Sequence, residues 1–191
     1  MNIKIPNTEN PVSKFIINRW SPRAFNEKAI SRKDLNTILE AASWAPSANN
    51  EQPWRYIVAL RENHEAFETL VSILNPSNAV WAKHAAALLL SYCKLKISDG
   101  EAENPTAMHD TGMANQNLLL QALDLGIYGH VMGGFDKQKA IDTLGLTNDY
   151  KPICMIALGY PGTPDQLDEP FKTRELTPRN RKPLSEFVKI L

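Results

Sequence analysis

The chain has 191 residues, 43% hydrophobic and 22% charged, the composition of a folded domain rather than a disordered chain. One domain over residues 1–191 is expected, large enough to bury a real core. Lys+Arg and Asp+Glu are equal at 21 each. Bulk charge therefore draws the chain to neither nucleic acid nor an anionic membrane, and any anion site must be local.

No apolar run approaches the ~18–20 residues of a transmembrane helix. The opening Met1-Asn2-Ile3-Lys4-Ile5-Pro6 lacks the apolar centre of a signal peptide. Cys93 and Cys154 lie in separate apolar runs with no metal or CxxC spacing; they read as buried small hydrophobes in a reducing compartment. No Asn-x-Ser/Thr acceptor with x other than Pro is present, which suits a cytoplasmic protein.

In chain order, Asn10-Pro11 is a helix-start pair, with Val12, Phe15 and Ile16 on one face. Ser31-Arg32-Lys33-Asp34 is a capping pattern that opens a helix with the stripe Leu35, Ile38, Leu39 and Ala42, stopped by Pro46. Arg55 to Leu60 reads as a strand. Asn63 caps a helix carrying Phe67, Leu70, Val71 and Leu74. Ala85 to Tyr92 reads as a strand buried on both faces, and Ser98 to Pro105 as a polar surface loop. A long helix is expected from about Thr106 to Leu125, closed by Gly126 in the left-handed conformation. A glycine-rich segment follows, Gly129 to Gly134. Asp136 caps a helix to Leu144 that Gly145 closes, and Ile153 to Leu158 is the last strand. Beyond Pro161 the chain reads as irregular until Leu184 to Val188. The sum is an α+β fold, a central sheet with helices packed around it, with a C-terminal tail that must lie on this chain or a partner.

The sequence holds no P-loop, GxGxxG, HExxH or GxSxG motif, and its four histidines are scattered, which argues against nucleotide-loop, zinc and serine-hydrolase chemistry. Three clusters carry what chemistry there is. Arg19-Trp20-Ser21-Pro22-Arg23 sets two guanidiniums and a hydroxyl within five residues, a donor set that matches phosphate. Pro46-Ser47-Ala48-Asn49-Asn50-Glu51-Gln52-Pro53 is an amide-rich loop held between two prolines, able to read the edge of a heteroaromatic ring. Val131-Met132-Gly133-Gly134-Phe135 allows close backbone approach to a planar ligand. Arg179 and Arg181 form a second basic pair. Singly, each also reads as an ordinary turn, loop or charged tail. Together they describe a flat hydrogen-bonding ring joined to a phosphate, which fits flavin mononucleotide and other phosphorylated cofactors alike.

The ordered set resembles the nitroreductase family of FMN-dependent oxidoreductases over Phe15 to Val188. It is carried by Arg19-Trp20-Ser21-Pro22-Arg23-Ala24-Phe25, Pro46-Ser47-Ala48-Asn49-Asn50-Glu51-Gln52-Pro53-Trp54, Asp110-Thr111-Gly112-Met113-Ala114-Asn115-Gln116-Asn117-Leu118, Gly133-Gly134-Phe135-Asp136, Leu158-Gly159-Tyr160-Pro161 and Arg179-Asn180-Arg181. The resemblance implies that Arg19, Ser21 and Arg23 hold the FMN phosphate and ribityl chain, with Trp20 contributing mainly backbone. It implies closure by Arg179 and Arg181, Asn78 at the pyrimidine end, and the Met132, Gly133 and Gly134 backbone at the flavin N5 edge. The resemblance also implies an α+β nitroreductase-like fold, a central mostly antiparallel sheet surrounded by helices, with Pro46, Ser47, Ala48 and Asn49 coming from the other subunit of an obligate homodimer, across which the extended C-terminal tail lies.

The implied activity is NAD(P)H-dependent ping-pong reduction of a small electron-poor acceptor: a nitroaromatic, a quinone or an activated alkene. NADH and NADPH are not distinguished, since no clamp for a 2′-phosphate is identifiable. Where many relatives carry a basic residue or histidine, Trp20 stands. Where nitroaromatic reducers often carry glutamate, Gly133 stands, which points to another subgroup. Two other readings remain: a flavin-binding member that does not use NAD(P)H and serves as a dehydrogenase or flavin-modifying protein, and a non-enzymatic interaction protein.

Overall fold

The computed structural model describes residues 3–98, 100 and 102–191. Met1 and Asn2 of the opening segment, and Asp99 and Glu101 of the polar stretch before the long helix, lie outside the described residues. A four-stranded sheet has the order β1-β2-β4-β3, from β1 (Trp54–Leu60), β2 (Ala87–Lys94), β3 (Tyr128–Met132) and β4 (Tyr150–Gly159). Each adjacent pair runs antiparallel.

The pleat explains why β2 is apolar at nearly every position. Leu88 and Leu90 point into one core with Phe67, Leu70 and Ile73 of α3 (His64–Ile73) and Trp81 of α4 (Pro76–Ala82). Ala87 and Leu89 point to the opposite face. There they meet Leu35 and Ile38 of α2 (Arg32–Ser43) and Ala114 and Leu118 of α5 (Ala107–Asp124). A strand covered on both faces loses the apolar–polar alternation of a half-solvated one.

The helix signals act as capping chemistry predicts. The Ser31 hydroxyl accepts the Asp34 N–H, the Asn63 side-chain Oδ1 accepts the Ala66 N–H, and the Asp136 carboxylate accepts the Lys139 N–H at the start of α6 (Lys137–Leu144). Gly126 and Gly145 take φ of 72° and 64°, closing α5 and α6 where a Cβ would be strained.

Three elements differ from expectation. The first helix, α1 (Lys14–Asn18), starts after Ser13, because the Asn10 carbonyl is engaged by the Val12 N–H and the Thr8 hydroxyl in a local turn. Its expected apolar face is not buried: Val12, Phe15 and Ile16 are exposed. With Trp44, 81% exposed, Phe15 and Ile16 line a groove of about 700 Å³ between α1, α2 and α5. Helix α4 follows the same Asn-Pro grammar at Asn75-Pro76. The C-terminal segment, expected to be irregular, contains α7 (Phe171–Leu176), too short to show a hydrophobic period.

Candidate flavin-type site

The segment Arg19 to Phe25 links α1 to the sheet and is fixed through its backbone. His130, on β3, bonds through Nδ1 to the Pro22 carbonyl at 2.9 Å. A carbonyl only accepts, so the ring nitrogen carries the hydrogen. The Glu175 carboxylate, on α7, accepts the Arg23 N–H at 3.0 Å and the Ala24 N–H at 3.1 Å. With both anchors on the main chain, the side chains of this segment are left to other partners.

The tail returns to the same place. Arg179 Nη1 donates to the carbonyls of Lys4 and Ile17. Lys4, only 7% exposed, donates through Nζ to the Arg174 and Thr177 carbonyls at the end of α7 and sits 5.1 Å over the Trp20 ring. Three chain segments, around residues 4, 19 and 179, are thus fastened together.

This fastening gathers Arg19, Arg179 and Arg181. Burial, and then the positive charge of Arg181, lowers the pKa of Arg19. Burial, then Arg181 and Arg19, lowers that of Arg179. Among the described residues none of the three is paired to a carboxylate. Uncompensated guanidiniums this close repel one another and favour an anion between them. Arg23 differs: burial lowers its pKa, Glu175 opposes that, Arg174 adds to it, and the guanidinium lies 5.9 Å from the Trp81 ring centroid.

A second group sits where β3 ends. Asn78, on α4, donates Nδ2 to the Gly134 carbonyl at 2.9 Å, and the Asn75 N–H donates to the same oxygen at 3.1 Å. Asn78 Oδ1 has no protein partner among the described residues. A Cβ built on Gly133 meets nothing within 4 Å, so open space faces that backbone. The Met132 side chain is buried in the core at 2% exposure, leaving only its main chain to face a ligand.

Helix α4 and strand β3 join the two groups. Trp81, one turn after Asn78, packs 4.6 Å from the His130 ring, and its buried indole N–H has no partner among the described residues. Tyr128 at the start of β3 meets Trp20 edge-on at 6.1 Å.

The amide-rich loop does not join them within one chain. Its hydrogen bonds run elsewhere: the Ala48 N–H donates to Asp110, the Gln52 N–H to the Ser47 hydroxyl, and Glu51 accepts from Ser98. The loop feeds the start of β1, level with Lys151 on β4, whereas Tyr128 pairs with Gly159 at the far end of β4. At ~3.3 Å per residue and ~4.8 Å per strand, more than about 20 Å separates the two. Pro46, Ala48 and Asn49 are exposed and Ser47 half-buried. Asn49, Asn50 and Gln52 take φ of 51°, 58° and 47°, so the loop is held in a conformation costly for side-chain residues.

Sequence reasoning missed Glu175. Nothing local marks Glu175, because its partners lie more than 150 residues away. The Asn75-Pro76 start signal could have placed Asn78 and Trp81 on one helix.

The comparisons with known proteins bear on the family and the fold. A family model described as "Nitroreductase family" matches residues 16–160. A protein of Archaeoglobus fulgidus named "Putative NADH dehydrogenase/NAD(P)H nitroreductase" is 33% identical over 159 residues, covering 78% of this chain and 84% of its own. A crystal structure described as an oxidoreductase containing FMN superposes with a TM-score of 0.91 at 35% identity, over 96% of this chain and 93% of that one. A nitroreductase-type protein from Desulfovibrio desulfuricans, solved in complex with FMN, matches with a TM-score of 0.72 at 26% identity, over 95% of this chain and 96% of that one. This chain belongs to the nitroreductase family.

Proposed function

We propose that the protein is an FMN-dependent oxidoreductase that uses NADH or NADPH to reduce a small electron-poor acceptor. The observation that carries this reading is the seating of Arg179 on the Ile17 carbonyl, two residues before Arg19, with neither these two arginines nor Arg181 paired to a carboxylate among the described residues. The donor set fits the cofactor. Guanidiniums suit the phosphate dianion, and the open backbone at Gly133 beside the Asn78 amide suits the edge of a flat ring.

In this reading Arg19, Ser21, Arg23, Arg179 and Arg181 bind the phosphate and ribityl chain, with Trp20 contributing its backbone. Asn78 and the main chain of Met132, Gly133 and Gly134 orient the ring. FMN, when bound, supplies the hydride-transfer chemistry. The residues around it position, exclude water and balance charge. One open face used in turn by donor and acceptor gives ping-pong kinetics. Nitroaromatics, quinones and activated alkenes share the needed electron deficiency.

The site is completed by a second copy of the chain, which brings Pro46, Ser47, Ala48 and Asn49. The separation of that loop from the arginine cluster supports this. So do the exposed Phe15, Ile16 and Trp44, and the exposed Leu184, Phe187, Val188, Ile190 and Leu191 of the tail, which a partner would cover. Among the described residues no helix is long and apolar enough to cross a membrane.

The test is an anaerobic visible spectrum of the purified protein before and after NADH or NADPH. A flavin spectrum that bleaches is the expected result. One that persists moves the function to a flavin protein with another redox partner. A colourless protein that ignores added FMN overturns the reading.

A further inference from the structure

We infer that Glu175 is a positioning residue that sets anion recognition by shaping the backbone of the Arg19–Phe25 segment. The inference rests on the proposed phosphate site and adds to it a residue that nothing in the sequence pattern marks.

Glu175 is a carboxylate at 4% exposure. Burying a charge is costly unless it is hydrogen-bonded or paired. Here the partners are main-chain donors: Oε1 and Oε2 accept the Arg23 N–H at 3.0 and 3.1 Å, and Oε1 also accepts the Ala24 N–H at 3.1 Å. Among the described residues the carboxylate makes no ion pair with a guanidinium. It holds the backbone of Arg23 without an ion pair to the Arg23 guanidinium, which lies over the Trp81 ring.

Position strengthens the case. Arg179, four residues beyond Glu175, donates to the Ile17 carbonyl just before Arg19. Glu175 and Arg179 therefore fasten one stretch of chain to both sides of the arginine segment. His130 holds the Pro22 carbonyl between them. The segment is gripped at Ile17, Pro22, Arg23 and Ala24, and none of these contacts uses its arginine side chains.

The sign of the charge makes the role testable. A carboxylate near the guanidiniums opposes an incoming anion, so its charge alone weakens phosphate binding. A contribution to anion recognition must come through geometry. Removing the charge and removing the positioning therefore shift affinity in opposite directions.

The experiment compares wild type with Glu175→Gln and Glu175→Ala as full-length protein. Affinities for FMN and for riboflavin, which lacks the phosphate, are read by flavin fluorescence quenching. Amide exchange is read at Arg23 and Ala24. The expected result is an FMN-to-riboflavin affinity ratio at least about tenfold lower in Glu175→Ala, with riboflavin affinity within about threefold of wild type and faster exchange at both amides, whereas Glu175→Gln, which keeps Oε1 as an acceptor and loses the charge, keeps or raises the ratio. An unchanged or increased ratio in Glu175→Ala overturns the inference, as does equal weakening of both ligands, which marks a merely structural role. If both variants fail to fold, wild type still decides. Its Arg23 and Ala24 amides must exchange more slowly with FMN than with riboflavin, and equal rates overturn the inference. Wild type that binds neither flavin overturns the flavin reading itself, a result distinct from an Arg-dependent FMN site that Glu175 does not affect.

Discussion

The His130 ring and the Pro22 carbonyl, 108 residues apart in sequence, meet at 2.9 Å beneath the arginine segment. Burial is the main cause that lowers the His130 pKa to about 4; the Pro22 carbonyl opposes this and the Arg23 charge adds to it. The folded protein thus holds the ring neutral, while the unfolded chain takes up a proton near pH 6.5. Stability from this group is complete above about pH 6.5 and is lost as pH falls toward 4, a change of about 3 kcal/mol. The His130→Gln variant should show a flatter stability–pH profile over that window by urea denaturation. An equally steep profile would remove His130 from the account.

The arginine cluster should be required for retention of the flavin. Arg19→Ala combined with Arg181→Ala is expected to purify without cofactor, with FMN affinity reduced at least about 100-fold by removal of two charge-assisted contacts. Flavin content after gel filtration reports it directly. Full occupancy would refute the phosphate assignment.

Arg179 and Arg181 should separate on stability. Arg179 bonds two carbonyls from distant segments, whereas Arg181 is exposed and bonds only the carbonyl of its neighbour Asn180. Arg179→Ala is expected to cost about 2 kcal/mol, and Arg181→Ala less than about 0.5 kcal/mol. Thermal melts of the cofactor-free forms compare them.

The paired glycines differ in what surrounds them. A Cβ on Gly134 would come within 2.7 Å of Asn78 Nδ2, while one on Gly133 meets only open space. Gly134→Ala should displace the Asn78 amide and lower the melting temperature by several degrees, for a cost of about 1–2 kcal/mol. Gly133→Ala should leave the melt unchanged and weaken flavin binding alone.

Association should follow the exposed Trp44. Placing a charge there by Trp44→Glu is expected to shift the protein from dimer to monomer in sedimentation, and flavin should be lost with it. A monomeric wild type that retains flavin would show that one chain suffices.

What the sequence made legible was local. Ser31, Asn63, Asp136, Gly126 and Gly145 act within a few residues of themselves, and each does at its helix end what its chemistry predicts. The doubly buried strand was visible in Ala87 to Leu90, since packing on both faces demands apolar side chains at consecutive positions. Asn10-Pro11 misled because the Asn10 carbonyl was taken by a turn. The arginines were legible as residue types with a matching chemistry. Their mutual proximity was not, because it depends on Lys4, Glu175 and Arg179 closing contacts across most of the chain. No periodicity encodes a buried carboxylate whose partners are main-chain amides.

The fastening of residues near 4, 19 and 179 also orders events in time. A chain leaves the ribosome from its N-terminus, so Arg19 is made long before Arg179 and Arg181. Until those two emerge, only one of the three guanidiniums is present, and the Ile17 and Lys4 carbonyls still await their donor. Synthesis therefore delivers a sheet and its two cores first and the completed charge cluster last. On the proposed phosphate site, flavin capture waits until Arg179 and Arg181 have been made.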